Sequence, residues 1–223
     1  MSGSVTVEDL TTWVEVFASL ISDNKSYLTD LDSPIGDADH GTNMDRGMKA
    51  VRQNLTDFTP ATADELFKQV AMTLISSVGG ASGPLYGTFF LRLGSSCGAR
   101  KEISAEDLAK AIHAGVEGLV SRGRPELGDK TMYDAFAPAL DALDRALGAG
   151  ESVGRAFNDA WQSAQVGRDE TITMVAKKGR ASYLGERSVG HQDPGATSAA
   201  LLFEAAVQSF GGADDVEPER GAS

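Results

Sequence analysis

Apolar residues in this chain return every three or four positions, and that spacing persists almost from end to end. Leu10, Trp13, Val14, Phe17, Leu20 and Ile21 form the first such series, behind Thr6 and Asp9 in the spacing of a capping box. The same period predicts helices from Gly41 to about Asn54, from Ala63 to Val78, and from Ser82 through Leu93. A fifth opens at Ser104, which stands three residues before Asp107 and repeats the capping logic. A sixth is expected from Lys130 to Leu147, a seventh from Ser152 to Val166 and an eighth from Gly195 to Phe210. β-Branched alternation is scarce and alanine is abundant, so strands are not expected. The pattern predicts an all-α domain over 1–210, a bundle or barrel of about eight antiparallel helices with short connections. Residues 211–223 are small and acidic and predict a frayed tail.

Charge and cysteine use narrow the class. With 32 acidic against 20 basic residues the net charge is −12, and no basic stripe suggests a nucleic-acid partner. Cys97 is the one cysteine, so no intramolecular disulfide is available. It lies in the apolar stretch that begins at Phe89 and reads as a buried structural thiol. No apolar run approaches the length of a membrane span and no signal pattern opens the chain, so the expectation is a cytoplasmic protein away from membranes.

Four segments are over-specified for packing alone. In Leu31-Asp32-Ser33-Pro34-Ile35-Gly36-Asp37-Ala38-Asp39-His40-Gly41-Thr42-Asn43-Met44, three carboxylates are crowded just before a helix start. Such groups repel unless a cation lies between them, and Mg²⁺ favours hard oxygen ligands shared with phosphates. The adjacent helix N-terminus suits an anion. The alternative is a solvated acidic turn in which Asp39 caps the helix. Gly79-Gly80-Ala81-Ser82-Gly83-Pro84-Leu85-Tyr86-Gly87 is either an anion-binding turn with a Ser82 hydroxyl or a tight helix–helix turn. Gly128-Asp129-Lys130-Thr131-Met132 offers Met132 to cover a base or to fill the core. The polar, glycine-rich stretch 167–194 carries Arg180, Arg187 and His191, and a loop this long inside a bundle points to function. Either arginine is a phosphate clamp or a solvated surface group. His40 is placed to meet a phosphate or a nucleotide, whereas His113 lies mid-helix and reads as structural. Zinc-type ligand spacing, a Ser-His-Asp arrangement, a P-loop and a strand-borne GxGxxG are all missing.

Taken in order, Gly-Asp37-Ala-Asp39-His-Gly-Thr-Asn-Met, Gly-Gly-Ala-Ser-Gly-Pro-Leu-Tyr-Gly, Gly-Asp-Lys-Thr-Met and Gly-Arg-Ala-Ser-Tyr-Leu-Gly-Glu-Arg-Ser with Gly-His-Gln-Asp-Pro-Gly-Ala resemble the nucleotide-binding L subunit (DhaL) of dihydroxyacetone kinases. The resemblance spans about residues 8 to 210. It implies an antiparallel barrel of eight helices with the nucleotide at one end. It implies two Mg²⁺ ions on Asp32, Asp37 and Asp39, bridging the diphosphate and the transferring phosphoryl group. It implies ADP or ATP contacts from His40, Gly41, Thr42, Asn43, Ala81, Ser82, Gly123, Met132, Arg180, Asp193, Pro194 and Gly195. No catalytic side chain beyond the metal ligands is expected, because phosphoryl transfer depends on positioning and charge neutralisation. The ketose acceptor is expected on a separate K subunit, without which this chain has little activity. The donor is ATP, or ADP re-phosphorylated by a phosphotransferase-system M subunit. A related kinase subunit acting on a four-carbon ketose or a fatty acyl group, and a nucleotide-sensing module contacting a transcriptional regulator, are the competing expectations.

Overall fold

The computed structural model describes residues 3–211. Its elements are β1 (Ser4–Thr6), α1 (Val7–Asp23), α2 (Lys25–Asp32), α3 (His40–Asp57), α4 (Ala63–Ser77), α5 (Ser82–Cys97), β2 (Glu102–Ser104), α6 (Ala105–Gly123), α7 (Tyr133–Gly148), α8 (Val153–Glu170) and α9 (Pro194–Phe210). Two 3₁₀ segments, Thr171–Thr173 and Arg180–Ser188, lie between α8 and α9. The tail expected over 211–223 falls outside the described residues except for Gly211.

The helix starts follow the side chains that satisfy their free N–H groups. Thr6 Oγ1 accepts from the Asp9 N–H at 3.2 Å, and the Asp9 carboxylate accepts from the Thr6 N–H at 2.9 Å, completing the capping box of α1. Ser104 accepts from Asp107 N–H at 3.2 Å to open α6, and Ser152 accepts from Arg155 N–H at 3.3 Å to open α8. Asp193 accepts from Ala196 N–H at 2.7 Å, with Pro194 in the first turn of α9, where its missing donor costs nothing.

Eight helices close a ring. Packing runs α1 against α3, then α4, α5, α6, α7, α8 and α9 in turn, and α9 returns to α1. Short connections at 78–81 and 149–152 make α4–α5 and α7–α8 antiparallel neighbours. The ring has no lumen at its centre, because aromatic side chains fill it. Trp13 lies 6.1 Å from Phe67 edge-on and 5.8 Å from Phe210, and its indole N–H donates to Leu202 C=O at 2.9 Å. Phe89, Phe136 and Phe203 continue the stack at 5.3 and 5.7 Å. Each buried ring contributes roughly 1.5–3 kcal/mol through burial. At the surface His113 Nε2 and Asp144 Oδ2 meet at 2.8 Å and join α6 to α7.

Three expectations need correction. α2 is a ninth helix, outside the ring against α3 and α9. It is short and buries only Leu28 and Asp32, so it leaves almost no apolar period to read. The helix expected from Lys130 begins instead at Tyr133, because Lys130 has φ +62, a left-handed conformation that cannot belong to an α-helix. Two three-residue strands pair antiparallel, Val5 opposite Ile103, and tie the start of α1 to the start of α6.

Cys97 is 1% exposed at the end of α5, and burial pushes its thiol up to about 12. The thiolate is the reactive form, so Ellman's reagent is expected to label native protein at under about 1% of the rate seen in 6 M guanidinium. Fast labelling of folded protein would place the thiol at the surface.

Candidate functional site

The acidic turn between α2 and α3 is shaped by its own small residues. A Cβ on Gly36 would overlap the Asp32 carboxylate, so a side chain there would displace that acid. Ala38 adopts φ +58 between two of the acids. Ile35 is buried beside Ala176 and Ala181, in a small apolar cluster separate from the barrel core, with Leu184 packed against it. That cluster ties the turn to the segment between α8 and α9. As a result Asp32, Asp37 and Asp39 each present one carboxylate oxygen, all within 4.8 Å of one another.

The three acids differ in surroundings. Asp32 is buried, and its Oδ2 accepts from the N–H groups of Asp39 at 2.9 Å and His40 at 3.2 Å. It therefore caps α3. Asp39 occupies the cap position but its side chain makes no capping bond, contrary to the solvated-turn alternative. Its carboxylate stays free for another partner. Asp37 is exposed and meets Arg180 Nη2 at 2.9 Å.

These acids stand at one end of the barrel, where α3, α5, α7 and α9 all begin. The first residues of α3, α5 and α9, with Met132 at the cap of α7, wall a single cleft of about 330 Å³. Four helix N-termini converging on one space make it attractive to an anion. Of the residues anticipated from the sequence, Asp32, Asp37, Asp39, His40, Asn43, Ala81, Ser82, Gly123, Met132, Arg180, Asp193, Pro194 and Gly195 line this cleft. Gly41 and Thr42 do not. Thr42 is exposed elsewhere, and Gly41 faces α2, where a Cβ would strike Lys25 C=O. Arg187 also lies outside, exposed to solvent. Leu85, Leu119 and Pro125 add apolar surface to a cleft whose acids are polar.

His40 is buried among hydroxyl groups. Its Nδ1 meets Ser82 Oγ and its Nε2 meets Ser198 Oγ, each at 3.1 Å, and Tyr86 OH reaches Ser198 Oγ at 2.8 Å. Burial pushes the imidazole down to about 4, against the pull of Asp32 and Asp39. At neutral pH the ring is uncharged and links α3 to α5 and α9. Asp193 moves the other way: burial, helped by Asp134 and Asp32, pushes its carboxyl up to about 7 against the bond from Ala196 N–H.

Ser198, Tyr86 and Lys130 escaped the sequence reading. Lys130 lies in the Gly128–Met132 segment, but a lysine before a helix reads as a surface residue. Ser198 and Tyr86 reach His40 only through tertiary contacts.

A family model described as the DAK2 domain matches residues 34–208. The chain belongs to the DAK2 domain family. It is 45% identical over 205 residues to the ADP-binding subunit DhaL of the PEP-dependent dihydroxyacetone kinase of Escherichia coli, covering 90% of this chain and 96% of the relative. It is 41% identical over 204 residues to the PTS-dependent counterpart of Lactococcus lactis, at 92% and 98% coverage. An L-erythrulose 1-kinase of Mycolicibacterium smegmatis is 33% identical over 194 residues, which are 86% of this chain but 34% of that enzyme. The native dihydroxyacetone kinase of C. freundii superposes with a TM-score of 0.69 at 27% identity, over 88% of this chain. Its complex with AMP-PNP and Mg²⁺ superposes at 0.72, with 24% identity over 94%. This DAK2 chain spans about a third of the C. freundii chains. The family resemblance drawn from four motifs, and the all-α barrel it implied, are both borne out.

Proposed function

We propose that this DAK2 chain is the nucleotide-binding subunit of a dihydroxyacetone-type kinase. It holds magnesium and ADP or ATP in the cleft and presents a phosphoryl group to a ketose carried by a separate K subunit. The observation that carries this is the meeting of three carboxylates with four helix N-termini in one cleft. Acids there repel an anion unless cations intervene, and cations plus a polyphosphate satisfy both sets of groups.

The donor set suits magnesium: three hard carboxylate oxygens, close together, with Asp37 and Asp39 free of capping duty. Asp32, Asp37 and Asp39 are the residues that would hold it, with two ions by analogy to the resembled subunits. Bound there, the metal neutralises charge on phosphate oxygens. The chain's own groups do the rest. Backbone N–H groups at the starts of α5 and α9 and the Ser82 hydroxyl address phosphate oxygens. Arg180 adds a cation above Asp37. Met132, Leu85 and Leu119 supply an apolar face for the base. None of these groups is a nucleophile, in keeping with direct transfer of the phosphoryl group.

Relatives of this chain's own length are named as ADP-binding subunits, which favours ADP kept in place and re-phosphorylated by a phosphotransferase-system protein. Native mass spectrometry with and without chelator tests the site. The expected mass includes ADP and magnesium, and both are lost with chelator. A second assay supplies a K subunit and dihydroxyacetone. Turnover is expected with the K subunit and not without it. Purified chain that holds no nucleotide at millimolar magnesium and ADP overturns the proposal.

A further inference from the structure

Lys130 is 1% exposed, among the largest fully buried side chains of the described residues. Its backbone is left-handed at φ +62, a conformation unfavourable for any residue with a side chain, and it directs the lysine inward. The ammonium donates to Thr171 C=O at 2.8 Å, Ser188 C=O at 2.7 Å, Met174 C=O at 3.2 Å and His191 C=O. Burial lowers the pKa of this lysine and Asp193 opposes that shift, while four carbonyl oxygens around one nitrogen suit the charged form, which has three N–H donors and no lone pair. The arrangement resembles a cation held by a ring of carbonyls.

Those carbonyls belong to both limbs of the excursion between α8 and α9. Thr171 and Met174 lie where the chain leaves the barrel; Ser188 and His191 lie where it returns. Other bonds bring the limbs together around the same point. Gly190 N–H donates to Ile172 C=O at 2.7 Å, Ala176 N–H to Ser188 Oγ at 2.9 Å, and Lys177 N–H to Asp129 C=O at 3.0 Å. Between the limbs the chain carries Lys178, Gly179, Arg180 and Ala181 into the wall of the cleft, with Arg180 on Asp37. This segment has only two 3₁₀ turns and a small apolar cluster of its own, so its base is fixed mainly by polar contacts, of which the Lys130 ammonium gathers the most carbonyls.

We propose that Lys130 is a positioning residue that serves in place of a structural cation, fastening the base of the 171–191 excursion and so setting Arg180 over the acidic cluster. Removing the ammonium leaves four carbonyls without their common donor and frees the excursion, while the barrel keeps its core. The consequence for nucleotide rests on the function proposed above; the consequence for the excursion does not.

The test compares the parent protein with Lys130→Met and with Val153→Ala. Val153 is buried at the start of α8, at the opposite end of the barrel. Each is studied 20 °C below its own melting temperature, so that global loosening is matched. Trypsin has Lys177, Lys178, Arg180 and Arg187 to cut within the excursion. In Lys130→Met, cleavage there is expected to accelerate at least tenfold, and labelled ADP is expected to leave at least tenfold faster; Val153→Ala should change neither. Parental cleavage in Lys130→Met, or equal acceleration in Val153→Ala, overturns the proposal. If parent and variants hold no ADP yet cleavage still separates them, the fastening role stands and the nucleotide assignment fails. Should Lys130→Met not fold, hydrogen exchange on the parent decides. The amides of Ala176, Lys177 and Gly190 are expected to exchange as slowly as those of α7, and exchange 100-fold faster overturns the idea.

Discussion

Replacing Asp37 with alanine is expected to weaken retention of magnesium–ADP on the order of 100-fold, about 2.7 kcal/mol, with almost no change in melting temperature. The two effects separate because of where Asp37 sits. Its carboxylate is exposed, and its partner Arg180 is 65% exposed, so the ion pair contributes at most about 1 kcal/mol to the fold. Asp37 caps no helix and packs against no core. Its crowding with Asp32 and Asp39 is therefore relieved for the fold by the substitution, whereas a metal loses one of three charged ligands. Asp37→Asn should weaken binding nearly as much, since a neutral amide offsets less cation charge. Asp32→Ala differs in kind: it also removes the acceptor for two N–H groups of α3, a loss of about 1 kcal/mol of stability. Calorimetric titration with magnesium–ADP and a thermal melt on the same samples check all three. Unchanged affinity in Asp37→Ala would sink the metal assignment, and unchanged stability in Asp32→Ala would sink the capping role.

Gly41→Ala is expected to cost about 3 kcal/mol and lower the melting temperature by roughly 6–12 °C. An added methyl would overlap Lys25 C=O and come within 2.6 Å of Thr29 Oγ1 and 2.9 Å of Thr29 N. Two of these are backbone atoms of α2 and cannot swing aside by changing rotamer. The helix must shift as a unit, and α2 ends in Asp32. The variant should accordingly bind magnesium–ADP more weakly although Gly41 does not line the cleft. Gly148→Ala is the contrast. No atom lies within 4 Å of a Cβ there, and the same substitution should be neutral or slightly stabilising. Differential scanning calorimetry distinguishes the two positions; equal melting temperatures would mean that α2 and α3 are less closely packed than described.

Gly41 shows that a place in a legible motif does not fix what a residue packs against. It lies in a run where Asp39, His40 and Asn43 do line the cleft, and the family resemblance puts it among the nucleotide contacts with them. Its true neighbour is a carbonyl of α2, an element that the apolar period did not reveal. His40 is a second case. Its place beside the acids is plain, but its neutrality comes from burial in the folded protein, between Ser82 and Ser198, which are 42 and 158 residues away. Lys130 is a third, because charge predicts exposure and only a ring of carbonyls from distant residues permits burial.

Local chemistry alone determined eight of the nine α-helices among the described residues, the caps at Thr6, Ser104 and Ser152, and the identity of the three crowded acids. Periodicity and capping act over four residues or fewer and are written in the chain itself. Tertiary structure alone decided that α3, α5, α7 and α9 start around one cleft, that Asp32 rather than Asp39 caps α3, and that a buried ammonium fastens the excursion carrying Arg180. Those outcomes depend on which distant carbonyls, hydroxyls and helix ends meet once the ring closes, and sequence spacing holds no record of such distances.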